Sequence, residues 1–255
     1  MNSLMPHTLQ WLPAAGRPEQ LMILLHGWGA RAEDMAALAD KLRQEFPQAA
    51  LLAPQGFDEG DAGLAGRQWF SLAGISDANR PERVAAMLPR LADWMRAAQV
   101  ATGVGPAATA LVGFSQGAII SLELAQKHDG LAGRVLSFSG RYATLPERAP
   151  EHTTLHFFHG AADAVIPATQ ARQAIERLGA LQGDATIDIA QGIGHELPPV
   201  LVQSAITRLR SHIPKRTWAA AMGAARGVVE HDATGDIGDI GDIGDIGDIA
   251  DDEKT

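Results

Sequence analysis

Apolar runs and amphipathic segments alternate along most of the chain. Continuous apolar runs such as Leu21–Leu25 and Ala49–Ala53 are typical of strands that are buried on both faces of a sheet. Between them, residues 33–45 carry Leu38 and Leu42 on one predicted face, which indicates an amphipathic helix. Because this alternation continues, the sequence predicts an α/β fold, with a mainly parallel central sheet and helices on both faces.

The same pattern sets the bounds of the other expected elements. Strands are expected at residues 8–12, 21–25, 49–53, 109–112, 134–140, 154–160 and 185–189. Helices are expected at 33–45, at 79–101, from just after 115 to about 128, at 167–181 and at 198–210. A glycine-rich loop runs from Gln55 to Gly66, and the stretch from Gly140 to Thr153 is too short for a large lid domain.

The C-terminal part of the chain has a different composition. Residues 218–229 predict a short helix, and Gly-Asp-Ile triplets then repeat from Gly235. The tract lacks the proline of collagen and the repeat of calcium-binding β-helices, so a disordered acidic tail is expected from about residue 231. The predicted domains are therefore 1–217 and a C-terminal extension, 218–255. The sequence assigns no role to the tail.

The whole formal net charge of −9 belongs to this tail. Residues 230–255 contain ten acidic residues and one lysine, whereas the remaining 20 basic and 20 acidic residues cancel over 1–229. A neutral body with an acidic tail argues against nucleic-acid binding.

Composition narrows the class of protein further. The chain has no cysteine, which excludes a disulfide framework, a thiol nucleophile and a cysteine-ligated metal. No apolar window reaches the ~18 residues of a membrane span, and the N-terminus lacks the pattern of a signal peptide. These features predict a cytoplasmic protein without a membrane span. They leave a homodimer as an open alternative.

The segment Gly113-Phe114-Ser115-Gln116-Gly117 has the spacing of a nucleophile elbow. An apolar strand precedes it and a helical pattern follows it. A sharp strand-to-helix turn forces the central residue into strained backbone angles, and the flanking glycines remove side chains that would collide. Ser115 is therefore the candidate nucleophile, with an ordinary helix cap as the alternative.

A serine hydroxyl needs a base within hydrogen-bond reach, and the base needs an orienting carboxylate. In chains with such an elbow, the acid and the histidine follow the serine in that order. Asp163 follows a predicted strand at the carboxyl edge of the sheet and is the preferred acid, with a plain turn residue as the alternative. Asp184 precedes its strand and Asp188 lies inside one, so both are less suitable.

His195 follows the last predicted strand and comes directly after Gly192-Ile193-Gly194, whose glycines allow it to turn across the sheet edge, and it is the preferred base. His156 lies within a strand, and the other downstream candidates are better explained as surface residues: His128, His152 and His212. His156, His159 and Asp163 match no strong zinc signature, so no metal is expected.

The reaction of an activated serine with an acyl group gives a negatively charged oxygen, which needs N–H donors already in place. The backbone N–H of Gln116, directly after the candidate nucleophile, is one expected donor. The other is expected from the loop His26-Gly27-Trp28-Gly29, where the Trp28 N–H is the candidate. A plain strand-ending turn is the alternative for this loop.

These motifs together resemble the phospholipase/carboxylesterase family of α/β-hydrolases, over roughly residues 8–217. The resemblance rests on the loop after Leu25, the elbow at Ser115, Asp163 with Pro167, and His195. It implies an α/β-hydrolase fold and a carboxylesterase that cleaves short- to medium-chain acyl esters through an acyl-serine intermediate without a cofactor. The family often has Asp where this chain has Ala30, which puts the rigidity of that loop in doubt.

Trp69 and Phe70 are expected to line the acyl pocket, with a role as core aromatics as the alternative. A thioesterase or a lysophospholipase would use the same residues. A non-catalytic ligand-binding protein on a hydrolase scaffold is a different class of alternative. Gly27-x-Gly29-x-x-Ala32 also fits a dinucleotide fingerprint formally, but the next strand lacks the acidic residue that the fingerprint expects.

Overall fold

The computed structural model describes residues 7–61, 63 and 65–223. Met1–Arg216 form one compact unit, and Thr217–Thr255 form a second, of which residues 217–223 are described and are helical. The rest of the predicted helix 218–229 and the Gly-Asp-Ile tract lie outside the described residues. The proposed boundary after residue 217 stays a prediction.

A seven-stranded sheet forms the centre of the first unit. Its strands are β1 (Thr8–Trp11), β2 (Gln20–Leu25), β3 (Ala49–Pro54), β6 (Thr109–Phe114), β7 (Arg134–Phe138), β8 (Thr154–Gly160) and β9 (Ala185–Ala190). They lie side by side in the order β1-β3-β2-β6-β7-β8-β9. Only β1 is antiparallel to its neighbour, and the other pairs are parallel. The carboxyl ends of β2, β6, β8 and β9 therefore meet at one edge.

Five α-helices cover the two faces of this sheet. They are α1 (Ala36–Glu45), α2 (Arg80–Thr102), α3 (Gln116–Lys127), α4 (Ala168–Ala180) and α5 (Pro199–Ser211). Apolar side chains of α2, α3 and α4 form one buried cluster against the sheet, and those of α1 and α5 form another on the opposite face. Residues of the central strands alternate between the two clusters, which explains why their sequences are apolar throughout.

The predicted α/β-hydrolase architecture is confirmed, with a mostly parallel sheet and no large lid. Two details differ from the expectation. A turn of 3-10 helix, Ala32–Met35, precedes α1, and the loop that begins at Gln55 contains two short antiparallel strands, β4 (Asp58–Glu59) and β5 (Arg67–Gln68). Strands of this length leave no alternation in the sequence, so periodicity could not predict them.

No helix within 7–61, 63 and 65–223 combines the length and the apolar character that crossing a bilayer requires.

Candidate active site

Ser115 lies at a sharp turn between β6 and α3. Its backbone angles are φ 53° and ψ −114°, a region that side-chain-bearing residues rarely occupy. A Cβ atom at Gly113 would lie 2.4 Å from the Gly117 oxygen, and one at Gly117 would lie 2.0 Å from the Leu25 oxygen. The turn therefore requires glycine at both positions, as the elbow spacing predicts, and it places the serine hydroxyl at the carboxyl edge of the sheet.

The structure brings Ser115, His195 and Asp163 into one hydrogen-bonded chain. His195 Nε2 lies 2.9 Å from Ser115 Oγ, and His195 Nδ1 lies 2.8 Å from Asp163 Oδ2. Because a carboxylate only accepts hydrogen bonds, Nδ1 carries the proton and donates it. Nε2 is then free to accept the serine proton, as a general base must.

The loop that carries His195 packs directly against the end of β8. The N–H of Ala162 donates to the Ile193 oxygen at 2.8 Å. A Cβ atom at Gly160 would lie 2.3 Å from that oxygen and 2.4 Å from the oxygen of Gly194. The missing side chain at residue 160 thus sets how close the histidine loop approaches the acid.

Asp163 is an ionised carboxylate that is buried away from solvent. Its side chain has no exposed surface, and its Oδ1 accepts the backbone N–H groups of Val165 and Ile166, each at 2.9 Å. Burial alone would raise its pKa, but the hydrogen bonds from His195 and these two N–H groups outweigh burial, and the pKa lies below the ordinary value. The carboxylate therefore stays charged and oriented towards the imidazole.

The predicted oxyanion donors lie on two segments that meet at the serine. Gly27 is packed so closely that a Cβ atom there would lie 3.4 Å from Ser115 Cβ and 3.3 Å from the Phe114 ring. Among the described residues, neither the Trp28 N–H nor the Gln116 N–H has a protein acceptor. Two unused donors beside a nucleophile fit an oxyanion hole.

His26 holds this loop in place through two hydrogen bonds, a role that the sequence analysis did not assign. Its Nε2 accepts the Gly56 N–H at 2.8 Å, so its Nδ1 carries the proton and donates to the Gly27 oxygen at 2.7 Å. Burial lowers the pKa of His26 and favours this neutral form. The hydrogen bond to the Gly27 oxygen fixes the Gly27–Trp28 peptide. Because this peptide is trans, the Trp28 N–H points away from the Gly27 oxygen. The only signal in the sequence was a histidine after an apolar strand.

Trp69 and Phe70 lie in the core. Trp69 has no exposed surface and Phe70 is 4% exposed. The indole N–H of Trp69 donates to the His26 oxygen at 2.9 Å, and the two rings are 5.3 Å apart. Burial favours the core-packing alternative for both residues, and their direct contact with substrate stays a prediction.

The side chain of Gln116 connects the elbow to the same loop. Its Oε1 accepts the Trp69 N–H at 2.8 Å, and its Nε2 donates to the Phe70 oxygen at 2.6 Å. Trp28 presents a 38% exposed indole, whose N–H donates to Gln68 Oε1 at 3.0 Å. Gln116 and Trp28 each have two features: a backbone N–H that is a predicted oxyanion donor, and a side chain that is hydrogen-bonded to the surrounding loop.

The rival residues of the sequence analysis have other partners. Asp184 Oδ1 lies 3.0 Å from His212 Nε2, and Asp188 pairs with Arg208 at 2.9 Å. His156 is buried in β8, with its Nδ1 2.8 Å from a threonine hydroxyl. In the described part of the chain, no group of three or more His, Asp or Glu side chains could hold a metal ion.

A strained serine, a histidine within hydrogen-bond distance of it and a buried carboxylate at the carboxyl edge of a parallel sheet define a serine hydrolase site of the α/β-hydrolase type. Comparison with known proteins agrees. The profile of the Phospholipase/Carboxylesterase family matches residues 12–213. The chain therefore belongs to the phospholipase/carboxylesterase family, a class of carboxylic ester hydrolases.

Individual relatives support the same assignment. Esterase YpfH of Escherichia coli K12 is 42% identical over 208 residues, which are 82% of this chain and 89% of that protein. The crystal structure of esterase PE8 superposes with a TM-score of 0.74 at 29% identity, covering 80% of this chain and 98% of that one. An acyl-protein thioesterase 1 from Eremothecium gossypii is 25% identical, over 75% of this chain and 87% of its own.

Proposed function

We propose that the chain is a serine carboxylesterase that hydrolyses short- to medium-chain acyl esters through an acyl-serine intermediate, with no cofactor. The observation that carries the proposal is the unbroken hydrogen-bonded chain from Ser115 Oγ through the His195 imidazole to Asp163 Oδ2, with distances of 2.9 and 2.8 Å. Family membership supports the reaction class, and the geometry supports the roles of the individual residues.

In the acylation step, Ser115 Oγ attacks the ester carbonyl carbon while His195 Nε2 takes the hydroxyl proton. The carbonyl oxygen becomes an oxyanion, which accepts the N–H groups of Trp28 and Gln116. The imidazolium then gives its proton to the leaving alcohol as the bond between carbon and alkoxy oxygen breaks. Asp163 stays ionised throughout and stabilises the imidazolium.

The deacylation step repeats the same transfers with water. His195 Nε2 takes a proton from a water molecule, whose oxygen attacks the acyl carbon of the acyl-serine. The second oxyanion occupies the same two N–H donors, and the proton returns to Ser115 Oγ as the carboxylic acid departs. No step needs a metal ion or a redox group.

An open site favours small or water-soluble esters over long lipids. The described segment between β7 and β8, residues 139–153, contains neither helix nor strand that could cover the serine. Trp28 presents the exposed indole next to the proposed oxyanion donor. A small acyl group needs no deep apolar channel, whereas a long chain would leave most of its surface in water.

A thioesterase or lysophospholipase activity is the alternative on the same site, and relatives named acyl-protein thioesterase 1 match at 24–25% identity. We assign the protein to the cytoplasm on the basis of its cysteine-free composition, and we take a small ester as its partner. Sedimentation would show whether the protein forms a homodimer. Truncation at Gly235 would show whether the tail contributes to activity.

The test compares wild type with Ser115→Ala on nitrophenyl acetate, butyrate and octanoate. We expect the variant to lose at least about 10⁴-fold in kcat, since removal of a triad member leaves only residual catalysis. Wild type should prefer acetate or butyrate over octanoate. Equal rates for the two proteins would instead favour the non-catalytic binding protein, and a higher kcat/KM on acyl thioesters would favour the thioesterase.

A further inference from the structure

A second imidazole contacts the acid of the proposed triad. His159, at the end of β8, has no exposed surface, and its Nε2 lies 2.7 Å from the Ile166 oxygen and 3.3 Å from Asp163 Oδ2. Asp163 Oδ2 thus faces two histidines, because His195 Nδ1 lies 2.8 Å from the same oxygen. The reaction scheme above gives His159 no role.

The neighbours of His159 determine which of its nitrogens carries the proton. The Ile166 carbonyl can only accept, so Nε2 must donate to it. Burial lowers the pKa of His159, so the ring is neutral and Nδ1 is unprotonated. Nδ1 is buried and has no hydrogen-bond partner among the described residues. A buried polar atom without a partner costs stability, so an apolar ring would be the better choice if His159 served packing alone.

We propose that His159 is a positioning residue that orients Asp163 and shares its negative charge through the Nε2–H group. The inference rests on the proposed function of the triad and deepens it. One N–H spans two acceptors: the Ile166 oxygen, which closes the turn that contains Asp163, and the carboxylate oxygen that receives the His195 proton donor.

This arrangement tunes the basicity of His195. The Asp163 carboxylate accepts the N–H groups of Val165 and Ile166 at Oδ1 and that of His195 at Oδ2, and His159 Nε2 lies 3.3 Å from the same Oδ2. Each donor disperses the negative charge that stabilises the His195 imidazolium. Removal of the His159 donor concentrates that charge on the bond to His195, so the interaction between the carboxylate and the protonated imidazole should strengthen.

The charged and titratable groups that face His159 are Asp163 on its own turn and His195 from the loop after β9. The direction in which the pH dependence of activity should shift therefore depends on the Asp163 carboxylate and on these two imidazoles.

The test uses His159→Phe and His159→Gln in the full chain. Phenylalanine keeps an aromatic ring without a donor, whereas the glutamine amide can place an N–H near the position of Nε2. For His159→Phe we expect kcat to fall about five- to tenfold with KM unchanged, since one hydrogen bond to the acid is lost. The acid limb of the kcat/KM profile should move up by about half a pH unit. His159→Gln should restore both values towards wild type.

His156→Phe is the matched control, because His156 is an equally buried histidine on β8 that contacts neither Asp163 nor Ser115. It should lower the melting temperature without moving the acid limb. If His159→Phe leaves the acid limb in place, or if His159→Gln is as impaired as His159→Phe, the positioning role is wrong and His159 serves the fold only.

Nitrogen-15 NMR of the imidazoles keeps the inference testable if a variant fails to fold, or if wild type has no esterase activity. In wild type, His159 should be neutral at pH 7 to 8, with the proton on Nε2. A proton on Nδ1, or a charged ring at neutral pH, would overturn the inference. In a Ser115→Ala background, the His195 titration should shift upwards with His159→Phe. Absence of turnover in wild type would refute the proposed function without affecting this titration.

Discussion

The substitution Gly160→Ala tests whether close backbone packing positions the loop that carries His195. The new Cβ atom would lie 2.3 Å from the Ile193 oxygen and 2.4 Å from the Gly194 oxygen, where ordinary contacts begin near 3.4 Å. The histidine loop must therefore retreat by about 1 Å. The His195 bonds to Ser115 and Asp163, at 2.9 and 2.8 Å, would lengthen beyond the range of a hydrogen bond.

We expect kcat/KM of Gly160→Ala on nitrophenyl butyrate to fall about 100-fold, since a misplacement of about 1 Å has that effect on catalysis. Overpacking should lower the free energy of unfolding by about 1–3 kcal/mol. The assay is steady-state hydrolysis at pH 8, together with thermal melting to show that the variant is folded at the assay temperature.

Gly194→Ala provides the matched control, because a Cβ atom at that position meets nothing within 4 Å although it adjoins His195. Its activity should stay within about threefold of wild type, as expected for a substitution away from close packing. Wild-type activity in Gly160→Ala, or an equal loss in both variants, would show that this contact does not set the position of His195.

Two further predictions concern buried histidines. His26→Phe removes the N–H that fixes the Gly27–Trp28 peptide, so kcat should fall about 10–100-fold with little change in KM, measured beside a melting curve. His156 has its pKa lowered by burial to about 3 in the folded protein, against 6.5 unfolded. Its stabilising contribution is complete above pH 6.5 and is lost as the pH falls, by about 3–5 kcal/mol. Urea denaturation from pH 7 to 3.5 should show a steeper loss in wild type than in His156→Gln.

The fold and the proposed catalytic residues could be predicted because their signals are local. Apolar runs identify β2, β3 and β6 without reference to the rest of the chain. The glycines of the elbow are required by contacts with neighbouring backbone, such as that between Gly117 and the Leu25 oxygen. Asp163 and His195 follow strands whose carboxyl ends must share one edge in a parallel sheet.

The supporting residues could not be predicted because their roles depend on atoms that are distant in sequence. His26 accepts the N–H of Gly56, and the buried indole of Trp69 donates to the His26 oxygen. An aromatic pair beside a glycine-rich loop has the same sequence whether it faces a ligand or the core. The sequence offers His159 only as a candidate metal ligand, because it does not show that Nε2 of this residue lies near Asp163.

The most direct test of the central claim is mass spectrometry of the protein after treatment with a fluorophosphonate. The account predicts one adduct, on the peptide that contains Ser115, formed much more slowly in His195→Ala and absent in Ser115→Ala. An unmodified Ser115 peptide in active wild-type enzyme, or an adduct on another serine that accompanies inactivation, would contradict it.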